Sequence, residues 1–361
     1  MYGISYVVPI RCDGECAGHP GLASNLRRLA DAGVDVVVVD GSSGAAEDVH
    51  RGGFNGLRQA MVAIDPGING KVRAVDAGMA AARHELVVIA DEDVRYDPRL
   101  LARLTDRLGG ADIVVPQNYF IGPIRWHTLW DSSRSLLNRA FGHDYPGTLA
   151  LRRSMYVRMG GYDEAALFEN LELIRTVEAA GGRVGWAPEI FVPRAGPTTA
   201  AFLRQRVRQA YDDLGQPSRL ARELLWLPTI VWGLARHRRA LSVGVGAVVA
   251  LAEFGRRRGG GKEFFPWKAS LAAPCWVAER ACCVWLALWL RVVKRGVLYR
   301  GSRLRKAASS REALRRRYAD LTPNERVARA GADDSLSDGR GSTQTSVVRV
   351  PTFSGTYRRP S

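Results

Sequence analysis

Cysteine is scarce, with five in 361 residues. That supply excludes a scaffold built on disulfides. Cys12 and Cys16 are the one spaced pair, and no set of His/Cys partners follows them; Cys282 and Cys283 adjoin inside an apolar stretch. The pattern reads as free thiols in a reducing compartment rather than a structural zinc site. Lysine is scarcer still in proportion, 5 against 47 arginines, which with abundant Ala and Gly points to a GC-rich bacterial source. The opening MYGISYVVPI has no basic n-region followed by a long apolar core. No secretory signal is expected, and the N-terminal domain is expected to stay in the cytosol. Gly67 and Gly70-Lys71 do not complete a P-loop, and Gly244-Val245-Gly246 lacks the strand and acidic follow-on of a dinucleotide fingerprint. No nucleic-acid motif and no internal repeat is present. The six histidines are scattered, so His127 and His143 read as core or surface residues, with an acceptor-cleft role as the alternative.

What remains is globular. Hydrophobic residues make up 46% and charged residues 24%, which excludes a wholly disordered chain and suggests about two domains. The net charge of +16 is uneven. Residues 1–200 hold 21 Lys+Arg and 24 Asp+Glu, a balance of −3; residues 201–361 hold 31 and 12, a balance of +19. Strands are expected over 4–9, 35–40, 85–90, 111–116 and 146–151, with helices over 20–32, 70–83, 97–108, 169–180 and 199–213. Strand alternating with helix gives an α/β domain with a largely parallel sheet, and the unbroken valines of DVVVVD imply burial on both faces. Ligands of such sheets sit beyond the carboxyl ends of the strands.

After about residue 222 the composition changes. Residues 224–235, 240–252 and 269–290 are strongly apolar, and six of the nine tryptophans lie between Trp226 and Trp289. The first two runs fall short of the ~20 residues of a spanning helix. The third carries Glu279 and Arg280 at its middle, and basic clusters flank every run. Helices lying in a membrane interface fit this pattern, with short spanning segments or a soluble helical subdomain as the alternatives. The division expected is 1–220 as the α/β domain, 221–300 as a membrane-associated helical region, and 301–361 as a basic, largely disordered tail.

Chemistry-bearing residues stand at the expected strand ends. Asp91 and Asp93 follow strand 85–90 at i and i+2, where both can face one Mg²⁺ or Mn²⁺ shared with a substrate diphosphate. Asp40 ends the valine strand before Gly41-Ser42-Ser43, placed either to meet a base or ribose edge or to make an Asx turn. Trp126 and Trp130, at i and i+4 on a helix, could stack a sugar or lipid or simply pack.

In order, SYVVPIR, VVVVDGSS, NGKVRAVDAG, VVIADEDVRYDP, PGTLALRRSMYVRMGGYDE, LFENLELIRTVEAAGG and QRVRQ resemble family 2 glycosyltransferases of the membrane-bound, ceramide glucosyltransferase-like branch. The resemblance spans roughly residues 3–215. It implies a GT-A fold and an inverting, metal-dependent hexosyltransferase that uses a nucleotide-sugar, UDP-linked by preference, and a lipid or lipid-linked acceptor. It also implies a place at the cell membrane with the catalytic domain on the cytoplasmic side. By motif, Pro9, Arg11, Asp40, Lys71, Asp91, Asp93, Gln205 and Arg208 would bind the donor, Asp91 and Asp93 the Mg²⁺ or Mn²⁺. Asp76 falls on the helix of Lys71, and Gly160 to Glu164 would precede the acceptor-side motif.

Two positions depart from the family. Glu169-Asn170 stands where Glu-Asp is usual, and that Asp is the usual general base. Asn170 cannot accept a proton, so Glu169 or Glu172, sharing one helix face at i and i+3, is the expected replacement beside Asp93. Gln209 stands where Trp completes Q-x-x-R-W. Of Arg204, Arg206 and Arg208, a helix can turn only some toward one ligand, and at least one is expected to face lipid headgroups. Two other classes remain open: a membrane adaptor that has lost turnover, and a nucleotidyltransferase.

Overall fold

In the computed structural model, residues 3–12, 19–64, 68–319 and 348–349 are described. Strands β1 (Ile4–Ile10), β2 (Asp35–Asp40), β3 (Arg58–Met61), β4 (Leu86–Ala90), β5 (Ile113–Ile121), β6 (Thr148–Arg152) and β7 (Val184–Ala195) form one sheet. The residues Val348–Arg349 add an edge strand beside β3, giving the order edge strand-β3-β2-β1-β4-β6-β5-β7. Only β6 runs against its neighbours, β4 and β5. The other pairings are parallel, so their carboxyl ends share one edge.

Period-two alternation builds two cores from single strands. Tyr6, Val8, Val36, Val38 and Val88 face helices α1 (Pro20–Asp31) and α4 (Pro98–Asp106) with Leu22, Leu26, Leu101 and Leu104. Val7, Val37, Val39, Val87 and Ile89 face the opposite way, against α3 (Gly70–Ala81) and α7 (Glu169–Ala179) with Val72, Val75, Ile174 and Val177. The consecutive valines are thus shared between two layers, as a sheet covered on both faces requires. Asn69 caps α3 by accepting from the Lys71 N–H, and its amide donates to the carbonyl of Ala166. That bond ties the start of α3 to the segment leading into α7.

The remaining helices include α2 (Ala45–Gly53), α5 (Trp126–Phe141), α6 (Arg153–Met159) and α8 (Thr199–Tyr211). The three apolar runs fall in α9 (Pro217–Arg236), α10 (Arg238–Arg257) and α11 (Trp267–Val292). α11 packs on α5, α8, α9 and α10, with Trp276, Ala269 and Ala273 buried against Leu136 and Phe191. Its mid-helix charges turn inward. Arg280 Nη1 donates to Asp213 at 3.0 Å, and Glu279 accepts from Trp130 Nε1 at 2.7 Å. Leu271, Trp285, Leu286 and Trp289 stay exposed on α11, with Trp232 and Leu234 on α9 and Val243 and Phe254 on α10.

The first part of the segment assigned to the basic tail has regular structure. Residues 301–319 are folded: β8 (Val297–Tyr299) and β9 (Ser302–Leu304) make a hairpin, and α12 (Arg311–Ala319) buries Leu314 and Tyr318. Tyr318 donates to the Met159 carbonyl at 2.7 Å. Long-range burial of that kind leaves no mark in local composition. The rest of the expected tail, 320–347 and 350–361, lies outside the described residues.

One glycine of NGKVRAVDAG has a packing reason. A Cβ on Gly78 would meet Val7 Cγ1 at 2.2 Å and Val39 Cγ2 at 3.2 Å, so α3 lies directly on β1 and β2 there. Gly78→Ala is expected to lower stability by about 1–3 kcal/mol through overpacking. Urea unfolding checks this, and an unchanged midpoint would mean the helix can lift without cost.

Candidate active site

A cleft of about 340 Å³ opens over the carboxyl ends of β1 and β4. Pro9 and Arg11 line it from β1 and its exit, Asp91 to Asp93 from the turn after β4, and Lys71 from the first turn of α3. Glu169 and Asn170 enter from the start of α7, Gln205 and Arg208 from α8, and Arg194 from β7. Chain positions 9 to 208 thus meet in one space.

The two aspartates are not splayed. Arg194 Nε donates to Asp93 Oδ2 at 2.8 Å and its Nη2 lies 3.5 Å from Asp91 Oδ2. Lys71 Nζ bridges Asp91 Oδ1 at 2.5 Å and Glu169 Oε1 at 2.6 Å. Three carboxylates therefore share two cations. Burial pushes the Asp91 carboxyl up, but Lys71 and then Arg194 outweigh it and hold the group below the usual range. For Asp93 burial prevails over Arg194, and the pKa lies above the usual value. For Lys71 the desolvation that would lower its pKa is overcome by Asp91 and Glu169, so the ammonium stays protonated.

Asp93 Oδ1 is buried with no hydrogen-bond partner among the described residues. Such an orphan acceptor can be satisfied by a water, a ligand or a cation. Gly147 closes the cradle: a Cβ there would meet Asp91 Oδ2 at 2.3 Å and Arg194 Nη1 at 3.2 Å. Two carboxylates, one with a spare oxygen, suit the hard-oxygen preference of Mg²⁺ or Mn²⁺.

Two expected residues are elsewhere. Asp40 is 2% exposed and does not line the cleft. Its Oδ1 accepts from the Ser42 N–H at 2.8 Å, and its Oδ2 pairs with His50 Nδ1 at 2.8 Å. The Asx-turn reading of the sequence holds for it. Glu172, expected as one of two bases, is fully buried and accepts from the backbone N–H and the hydroxyl of Ser309. It anchors the segment before α12, and a donor–acceptor pair 137 residues apart in the chain is invisible to helical spacing. Glu169 alone of the two faces the cleft. Asn170 also lines it, its amide donating to the Pro146 carbonyl at 2.8 Å.

The arginines of α8 separate as a helix dictates. Arg208 lines the cleft and lies 5.0 Å from the Tyr299 ring centroid. Arg206 is buried, its guanidinium 3.5 Å from Asp131 and 3.7 Å from Glu279, and Arg204 is exposed. His127 is buried in the core, with Nε2 2.9 Å from the Pro197 carbonyl oxygen. Trp126 and Trp130 pack edge to face at 6.1 Å, outside the cleft lining. Asp76, also outside it, accepts from the Tyr156 hydroxyl.

Arg194 and Asp212 went unnoticed in the sequence. Arg194 lies on a strand broken by Pro188 and Pro193, which hid the strand pattern. Asp212 follows α8 by one residue and lines the cleft, its Oδ1 buried without a partner among the described residues. Burial raises its pKa to about 8, with Arg208 opposing and Glu169 adding to the rise.

The family model for glycosyl transferase family 2 matches residues 20–167. A mannosyltransferase of Pyrobaculum calidifontis, solved with GDP-Man and Mn²⁺, aligns at 18% identity and a TM-score of 0.46, over 78% of this chain and 86% of that one. Glucosyl-3-phosphoglycerate synthase of Mycobacterium tuberculosis, solved with Mn²⁺, UDP and phosphoglyceric acid, aligns at 20% identity and 0.38, over 56% and 75%. The same synthase with Mg²⁺ and UDP aligns at 21% and 0.38, over 56% and 76%. No curated protein matches. The mostly parallel sheet flanked by helices, with β6 antiparallel within it, is a GT-A fold.

Asp212 gives the site a pH signature. Its folded pKa of about 8 stands above the unfolded value of ~3.9. Between the two, the fold holds a proton that the unfolded chain has released, so the residue's contribution to stability falls as pH rises through this window and levels off above it. Asp212→Asn is expected to raise Tm relative to the natural chain more at pH 8 than at pH 5. Scanning calorimetry at both pH values decides it, and equal shifts would contradict the assignment.

Proposed function

We propose that this protein is an inverting glycosyltransferase that moves a sugar from a nucleotide-sugar to a hydroxyl of a lipid or lipid-linked acceptor at a membrane. The observation that carries this reading is the cleft over the sheet's exit edge, where Asp91 and the spare oxygen of Asp93 face Lys71, Arg194 and Glu169.

In this reading Asp91 and Asp93 would hold one Mg²⁺ or Mn²⁺, which when bound would supply positive charge to offset that of a diphosphate leaving group. Arg208, and Arg194 once drawn from Asp93, donate to phosphate oxygens as charge-assisted partners. Lys71, now salt-bridged to Asp91 and Glu169, turns to the phosphate side. That frees the Glu169 carboxylate to take the proton of the acceptor hydroxyl. The acceptor oxygen then bonds to the anomeric carbon while the bond to the diphosphate breaks, and the configuration inverts. Asn170 serves as a strut on Pro146, and Glu169 takes the role its side chain cannot.

The acceptor side is read from α9 to α11. Their exposed tryptophans, leucines and valines, with arginines at the ends, suit helices resting in the headgroup region. Among the described residues, α11 alone is long and apolar enough to cross a membrane. Its inward Glu279 and Arg280 instead favour lying along the bilayer with one face on the catalytic domain. In this reading the catalytic domain lies on the cytoplasmic face of the cell membrane, as the family resemblance implies.

Donor binding, turnover and membrane binding each test the reading. A thermal-shift screen of nucleotide-sugars with Mn²⁺ should show a stabilising donor, and turnover should release nucleoside diphosphate. Pyrophosphate release would instead mark a nucleotidyltransferase, and donor binding without turnover an adaptor. Asp93→Asn should abolish metal-dependent donor binding in a calorimetric titration; unchanged affinity removes the metal from this pair. Glu169→Gln should lower kcat by ~10²- to 10⁴-fold, whereas Glu172→Gln should lower stability and leave kcat within a few-fold. Equal rates in both would leave Glu169 without its role. Co-sedimentation with anionic vesicles should fall as salt rises, and binding to neutral and anionic vesicles alike would discount the arginine flanks.

A further inference from the structure

A second cluster lies beside the cleft, at the ends of β1 and β2. Cys12 follows the exit of β1, His19 immediately precedes α1, and His50 sits on α2. Cys12 Sγ lies 3.5 Å from His50 Nε2 and 3.8 Å from His19 Nε2. The three ligand atoms all fall within 4.8 Å of one another. Tetrahedral Zn²⁺, with bonds of ~2.3 Å to sulfur and ~2.0–2.1 Å to nitrogen, holds S and N ~3.5 Å apart. The two sulfur–nitrogen distances already match that spacing, and the His19 ring, only half-buried, has room to close the third.

The outer shell is in place as well. His50 Nδ1 is bound to Asp40 Oδ2 at 2.8 Å, which leaves Nε2 as the ring atom aimed at Cys12. A carboxylate behind a ligating imidazole fixes its tautomer and raises its basicity. His50 and Asp40 are 1% and 2% exposed. Ser42 Oγ accepts from the Cys12 N–H at 2.8 Å and holds the cysteine in register.

We propose that Cys12, His19 and His50 form a zinc site in the reduced protein, with Asp40 as the carboxylate that positions His50. The site pins the exit of β1 to β2 and α2, next to Arg11 on the wall of the donor cleft. It also gives Asp40 a task, since its carboxylate points away from that cleft. The thiolate of Cys12 and the two imidazoles select Zn²⁺ over the hard cations that suit Asp91 and Asp93. In the structure Cys12 is disulfide-bonded, which corrects the expectation of a free thiol there, and a disulfide sulfur is a poor ligand. Reduction by an added phosphine takes an oxygen from water, giving the phosphine oxide and two thiols. The Cys12 thiol then loses its proton as the metal binds.

The test uses the full chain, stripped of metal, reduced with phosphine and titrated with Co²⁺ as a spectroscopic stand-in. The expected result is one equivalent with the strong visible bands of a tetrahedral ion and a thiolate charge-transfer band, displaced by Zn²⁺. Asp91→Asn/Asp93→Asn should keep these bands, which separates this site from the donor cleft. His50→Ala and Cys12→Ser should lose them, and Asp40→Asn should weaken binding by ~10- to 100-fold. The oxidised protein should show none. A reduced, folded natural chain with no thiolate–cobalt band overturns the proposal, as do bands that persist in His50→Ala or appear equally in the oxidised protein. Because the first of these readouts needs no variant, a misfolded Cys12→Ser leaves the outcome decided.

Discussion

The structure depends on a charge balance at one edge of a sheet. Asp91, Asp93 and Glu169 crowd into a largely buried cleft, and Lys71 and Arg194 hold them there. Unpaired, such carboxylates would give up their charge by taking protons. Paired, they stay close enough to receive a cation, at the cost of cations that must let go when one arrives. The sheet supplies the geometry: parallel strands release their loops on the same side, so groups from β1, β4 and β7 converge without any nearness in sequence. Gly147 keeps the floor open where a side chain would fill it.

The α/β core was legible because its signals are local. DVVVVD and ELVVIA have the composition of strands buried on both sides, and each became a strand whose residues divide between two cores. Asp91 and Asp93 were expected from a strand end, and Pro9, Arg11, Lys71, Gln205, Arg208 and Glu169 from the family resemblance; all line the cleft. What stayed hidden depends on distant partners. Asp40 looks the same in sequence whether it meets a nucleotide or His50. Glu172 and Glu169 share a helix face, and only the arrival of Ser309 separates them. β7 is broken by prolines, and Arg194 was lost with it. Cys12, His19 and His50 have no metal spacing along the chain; the ends of β1 and β2 bring them together.

The C-terminal helices follow the same logic of compensation. A charged pair in the middle of an apolar run looks like an obstacle to membrane insertion. In the fold both charges are turned inward, Arg280 onto Asp213 and Glu279 onto Trp130. The helix is thereby fixed in rotation, with tryptophan and leucine left on the outer face. Arg208, which lines the cleft, stands on α8, the helix that α11 packs against, so the exposed apolar face of α11 is joined to the cleft through a single helix.

The central claim is that Asp91 and Asp93 together take a divalent ion beside a nucleotide. Anomalous diffraction from crystals grown with Mn²⁺ and a nucleoside diphosphate addresses it directly. The account predicts a manganese peak in bonding contact with Asp93 Oδ1 and an oxygen of Asp91, with Arg194 moved toward phosphate. A nucleotide bound in the cleft with no manganese there, and Arg194 still on Asp93, would contradict it.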